Sequence, residues 1–188
     1  MPGGAVSITS GNEEVVVVND VGGIYRWNGY NWDYIGGMVA TEAAISPEGV
    51  IYAISKDNTI SSGDGAVYRL DPSRLVWEHV AGGYANRISV WFFDQVVVST
   101  SSGAVYYTKW AGTQTSWQHK GDLGAIDVGW ELSNLIYLRA DGHPVALGAY
   151  DKQFEYTSLT ATRLAGSGSK VLAMVNNVQD IYIAQVVF

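Results

Sequence analysis

The chain of 188 residues contains no cysteine. Disulfide scaffolds, thiolate zinc sites and cysteine nucleophiles are therefore excluded. Proline is scarce, at four residues. Charge is sparse too: 15% of residues are ionisable Asp, Glu, Lys or Arg, and eleven basic residues against eighteen acidic ones leave a net charge of −7. A net negative surface argues against nucleic acid or an anionic membrane as the main partner. No run of about eighteen apolar residues occurs, so no segment has the composition of a membrane-inserted helix. The opening MPGGAVSITSGNEE has neither the basic nor the apolar region of a signal peptide, and no Asn-x-Ser/Thr acceptor follows. These features together read as a cytosolic chain; a processed secreted form would look the same. A domain holds roughly 100–200 residues, so residues 1–188 are expected to form one domain with a sizeable core.

Glycine and aromatics are abundant instead: 22 Gly, seven Trp and twelve Tyr. With many β-branched residues, this composition reads as short strands joined by tight turns. The chain also repeats itself. A Gly-led aromatic motif recurs as Gly23-Ile24-Tyr25, Gly65-Ala66-Val67-Tyr68 and Gly103-Ala104-Val105-Tyr106, with looser copies at Gly142–Val145 and Asp180–Tyr182. Each of the first four is followed by an aromatic pair: Trp32-Asp33-Tyr34, Trp77-Glu78-His79, Trp117-Gln118-His119 and Phe154-Glu155-Tyr156. Small or mixed segments come before them: 6–8, 44–46, 88–90, 126–128 and 163–165. The most apolar segments lie between: 15–18, 50–54, 96–99, 135–138 and 171–175.

Four short strands per roughly 40 residues is the signature of a propeller blade. No segment has a helical apolar period of useful length. The expectation is an all-β, five-bladed β-propeller of four-stranded antiparallel blades, with the last blade one strand short. Closure then rests on face-to-face blade packing. Alternatively another copy covers the open edge of the last blade, since bare edges invite pairing.

The first repeat, GGIYRWNGYNWDYIGGMVATEAAISPEGVIYAIS, resembles the tectonin repeat of tachylectin-like and fungal tectonin lectins. The resembling pieces are Ile24–Gly29, Trp32, Ile35-Gly36-Gly37, Ala44-Ile45-Ser46 and Gly49–Tyr52, and the second repeat matches with Val67-Tyr68-Arg69, Trp77 and Ala81-Gly82-Gly83. The resemblance implies a propeller that binds carbohydrate without catalysis, in a family where some members serve innate defence.

Antiparallel order puts the turns after the first and third strands of every blade on one face of the disc. Four of the seven Trp fall in those stretches. Turns lie at the surface, where Trp is uncommon without a reason. An exposed indole can stack on a sugar ring, and adjacent amides or carboxylates can take its hydroxyls. The candidate ligand-binding residues are therefore Trp27, Asn28, Trp91, Asp94, Trp110, Trp130 and Glu131; the competing role for the rings is to cap the core. Trp32, Trp77 and Trp117 read as blade packing.

Signs of catalysis are thin. The three His follow no metal spacing, there is no Gly-x-Ser-x-Gly elbow, and Gly166–Ser169 is not followed by the Gly-Lys-Ser/Thr of a phosphate loop. Asp127 falls on an innermost strand and reads as a hydrated channel-lining acid. The function expected is a multivalent, non-enzymatic lectin without cofactors, whose partners are glycans or glycoconjugates. The alternative is a protein-interaction scaffold, favoured by how much the turns differ between blades.

Overall fold

A computed structural model describes residues 3–112, 115–131, 134–147, 153–155, 160–166, 171–175 and 181–185. It is an all-β β-propeller built of antiparallel four-stranded blades. Four blades are complete. The first comprises β1 (Ala5–Gly11), β2 (Glu14–Asn19), β3 (Ile24–Trp27) and β4 (Trp32–Tyr34). The second comprises β5 (Ala40–Ile45), β6 (Ile51–Thr59), β7 (Gly65–Asp71) and β8 (Val76–Ala85). The third comprises β9 (Arg87–Trp91), β10 (Gln95–Ser99), β11 (Ala104–Lys109) and β12 (Gln118–Asp122). The fourth comprises β13 (Ala125–Glu131), β14 (Asn134–Arg139), β15 (Pro144–Leu147) and β16 (Gln153–Glu155). Against the five blades expected, the remaining strands form a three-stranded sheet: β17 (Arg163–Gly166), β18 (Val171–Val175) and β19 (Ile181–Gln185).

The second strand of each complete blade is apolar on both faces because both faces meet protein. Val16, Val18, Ile51, Val96, Val97, Ile136 and Leu138 are all 2% exposed or less. The seams between sheets are the core. Val16, Val18 and Ile24 of the first blade pack on Ala43, Ile45 and Ile51 of the second. Tyr52, Ile54 and Val67 meet Ile88, Val90 and Val96 across the next seam. Val97 and Val105 meet Val128, Leu135 and Tyr137 across the third. Leu164 of β17 packs on Ile136, Leu138 and Ala146.

The repeated Gly-Gly has a steric reason. Trp77 Nε1–H donates to the Gly36 carbonyl at 2.8 Å, and Trp117 Nε1–H donates to the Ala81 carbonyl at 3.2 Å. A Cβ on Gly37 would stand 2.8 Å from Trp77 Cδ1, and one on Gly83 would stand 2.5 Å from Trp117 Cζ2. The glycines after one blade thus seat the outer Trp of the next. These two Trp serve blade packing, in keeping with their repeat-equivalent spacing.

The innermost strands follow one another around the axis, β1 beside β5, β5 beside β9, β9 beside β13 and β13 beside β17. They enclose a central cavity of about 910 Å³.

Candidate functional site

The turn between β9 and β10 is a short 3-10 turn, Phe92–Asp94, with two consecutive non-glycine residues in the left-handed region: Phe93 (φ 58°) and Asp94 (φ 59°). That conformation costs an L-residue roughly 1–2 kcal/mol. Such strain persists only where the surroundings over-determine it. Here they do. The Asp94 carbonyl accepts the Trp110 N–H at 3.0 Å. Its carboxylate accepts the Tyr52 hydroxyl at 2.9 Å and the Arg69 guanidinium at 3.3 and 3.4 Å. The Phe93 N–H donates to Glu48 Oε1 at 3.0 Å.

Trp110 belongs to the same blade as the turn, whereas Tyr52, Arg69 and Glu48 come from the neighbouring one, so the turn is clamped across the seam between the second and third blades. Arg69 is itself tied to Glu78 at 3.8 Å and stacks over the Trp110 ring at 5.6 Å. Tyr52 is fully buried. Burial first, and then the Asp94 charge, hold its hydroxyl far above the usual phenol range, so it stays a donor at any working pH. The clamp leaves Phe93 71% exposed and Phe92 38% exposed. Lys109 Nζ lies 5.9 Å over the Phe93 ring. Tyr30 and Leu75, from turns on the same face, are also exposed.

Of the residues predicted to bind a ligand, the structure brings Asp94 and Trp110 together around Arg69. Trp27, Asn28, Trp91 and Trp130 make their contacts within the fold. Trp130 is a correction: it is the sixth residue of β13 rather than a turn residue, is 3% exposed, meets Tyr107 edge-on and donates Nε1–H to the Ser89 carbonyl at 3.4 Å. It caps the seam between the third and fourth blades and offers no face to a ligand. Trp91 ends β9 and packs into that same seam with Phe92 edge-on at 4.5 Å. Trp27 ends β3 and lies against Trp32 at 5.4 Å. The side chain of Glu131, like the turn at 148–152, lies outside the described residues.

Asn28 is consumed by its own turn. Its Oδ1 accepts the N–H groups of Tyr30 and Asn31 at 3.0 and 2.9 Å, and its Nδ2–H donates to Asp33 at 2.9 Å. Replacing Asn28 by alanine should cost about 1 kcal/mol through the lost turn bonds. A melting temperature lowered by roughly 2–4 °C checks this.

Asp127 lines the central cavity, as expected of a channel-lining acid, but is only 5% exposed. Its Oδ1 accepts the Val128 N–H at 3.0 Å, and its Oδ2 accepts the Leu164 N–H of β17 at 2.9 Å. It ties the fourth blade to the last sheet.

The residues missed by the sequence reading are Phe93, Tyr52, Arg69 and Glu48. The Trp-Phe-Phe-Asp run was the visible signal, since three aromatics before an acid make an unusual turn. The clamp itself pairs residues far apart in the chain, and nothing local announces it.

No family model matches the sequence, and no curated protein matches it. Solved structures do. YCF48 bound to D1 peptide is 16% identical with a TM-score of 0.59, over 96% of this chain and 63% of that one. A chain of the mitotic checkpoint complex is 15% identical with a TM-score of 0.68, over 95% and 61%. YCF48 from Cyanidioschyzon merolae is 14% identical with a TM-score of 0.62, over 97% and 69%. At these identities the likeness shows the propeller fold. This chain spans about three-fifths of the length of the first two.

Proposed function

We propose that this chain is a protein-interaction propeller that takes a peptide segment of a partner on its aromatic face, with Phe93 as the anchor. The observation that carries this reading is the strained, exposed Phe93 clamped from both sides. The ring meets Lys109 and Phe92, and most of its apolar surface, 71% exposed, stands free for a partner. Binding hot spots are enriched in aromatic residues held rigid before contact. Two of the similar structures point the same way: one is a complex with a peptide, and the other belongs to a multiprotein assembly. In this reading the propeller binds and does not catalyse. Sheet β17–β19 is its fifth blade, one strand short.

Carbohydrate binding, the function implied by the tectonin resemblance, uses the same face. Trp130 and Asn28 no longer support it, since one is buried and the other is committed to its turn. The two readings separate by screening wild type and Phe93→Gly against a displayed peptide library and a glycan array. Glycine takes the left-handed conformation freely, so Phe93→Gly should raise the melting temperature by about 2–4 °C, corresponding to about 1 kcal/mol of relieved strain. The same variant should bind selected peptides at least roughly tenfold more weakly, as expected for loss of one aromatic anchor. Glycan binding without any selected peptide would overturn the proposal in favour of a lectin.

A further inference from the structure

One end of the central cavity carries four charged residues, one from each of four inner strands. They are Glu42 of β5, Arg87 of β9, Asp127 of β13 and Arg163 of β17. Around the ring the sign alternates, and strand register explains why. β5 is bulged between Ala40 and Glu42, and β13 is bulged between Ala125 and Asp127. A bulge adds one residue and re-aims the side chain that follows. Glu42, opposite Ile54, and Asp127, opposite Leu138, therefore occupy equivalent places. β9 and β17 pair without a shift and set arginine at their first residue, opposite Ser99 and Val175. The first blade has the same bulge, but Ser7 follows it, and β1 contributes no titratable side chain.

The ring is unevenly satisfied. Arg87 Nη1 stands 3.6 Å from Glu42 Oε2, and Arg163 Nη1 stands 4.0 Å from Asp127 Oδ2. Glu42 Oε2 and Arg87 Nε are shut off from solvent without a hydrogen-bond partner. Asp127, by contrast, grips the backbone of β17 through Leu164. Unsatisfied buried polar groups are costly, and a charged one most of all.

We propose that this ring is a proton-controlled clasp on the last sheet. With Glu42 protonated, Asp127 is the one anion between two guanidiniums, and β17 stays docked. When water reaches Glu42 and its proton leaves, β17 disengages and that side of the channel opens.

The direction of the pH effect follows from the environment. Burial first, and then the Asp127 carboxylate, push Glu42 up to about 8, while Arg87 and Arg163 act in the opposite sense. Burial raises Asp127 as well, against its two backbone bonds and the same two arginines. In any state where Glu42 is hydrated it returns to the ordinary carboxylate range. A carboxyl group raised in the closed state makes the closed state lose ground as pH rises from that range to about 8, and no further above it. The clasp is therefore tightest in mild acid and weakest at mildly alkaline pH.

Amide hydrogen exchange of the full chain between about pH 5 and pH 8, corrected for the intrinsic rate, tests this. Protection at Leu164 should fall by at least roughly tenfold over that range, while protection at Val97 and Val98 in β10 stays level. Glu42→Gln should remove most of the fall. A parallel loss in β10, a flat profile at Leu164, or an unchanged fall in Glu42→Gln would each overturn the clasp. Should Glu42→Gln not fold, the wild-type comparison of β17 with β10 decides alone.

Discussion

Replacing Asp127 by alanine should destabilise the protein by about 3–5 kcal/mol, the range for removing one partner from a buried charged network. Three losses coincide. The Leu164 and Val128 N–H groups lose their acceptor. The charge that faces Arg87 and the half-exposed Arg163 disappears from a position that is itself 5% exposed. The inner strand of the last sheet loses its polar tie to the fourth blade, leaving the contact of Leu164 with Ile136, Leu138 and Ala146. For a chain of this size the melting temperature should fall by about 10 °C. Asparagine keeps the shape and one acceptor but no charge. Asp127→Asn should lose only about 1–2 kcal/mol, because the hydrogen-bonded geometry is largely retained. Thermal and urea melts of the two variants check the order. Equal losses would mean that the charge, and not the bond to Leu164, holds β17.

That role was beyond the reach of the sequence, though the fold was not. The recurrence of Tyr25, Tyr68 and Tyr106, each followed by Trp32, Trp77 or Trp117, is enough to place the third and fourth strands of three blades. These residues repeat because every blade buries the same face against the next. Register was less visible. The segment 44–46 suggests Ala44 as the partner of Asp127 in the second blade. The bulge after Ala40 makes it Glu42, and an alternating ring of charge emerges only once that shift is known. Trp91 and Trp130 show the same limit from the other side. Spacing puts them in turns, yet β9 extends to Trp91 and β13 runs on past Trp130, which places both rings in the seam. One residue of strand length decides whether an indole faces water or core. Blade number is also a matter of edges: four blades close with four strands each, and the last sheet holds three among the described residues.

The clamp at the aromatic face yields the other large effect. Asp94→Ala should destabilise by about 3–5 kcal/mol, because it leaves the half-buried Arg69 and the buried Tyr52 hydroxyl facing an empty place. Alanine also keeps the left-handed strain without the bonds that impose it. Tyr52→Phe alone removes one donor and should lose about 1–2 kcal/mol. The two changes should not add. Once Asp94 is gone, the Tyr52 hydroxyl is a buried donor without an acceptor, and deleting it should recover about 1 kcal/mol. The double variant is therefore expected to be more stable than Asp94→Ala. Melting the two single variants and the double gives the coupling directly. Strict additivity would mean that the hydroxyl finds another acceptor and that Arg69 alone holds Asp94. Peptide binding supplies the independent reading. Asp94→Ala should weaken it along with Phe93→Gly, although one variant loses stability and the other gains it. Shared loss of binding with opposite changes in stability is the signature of a turn whose shape, and not its contribution to the fold, is what the partner reads.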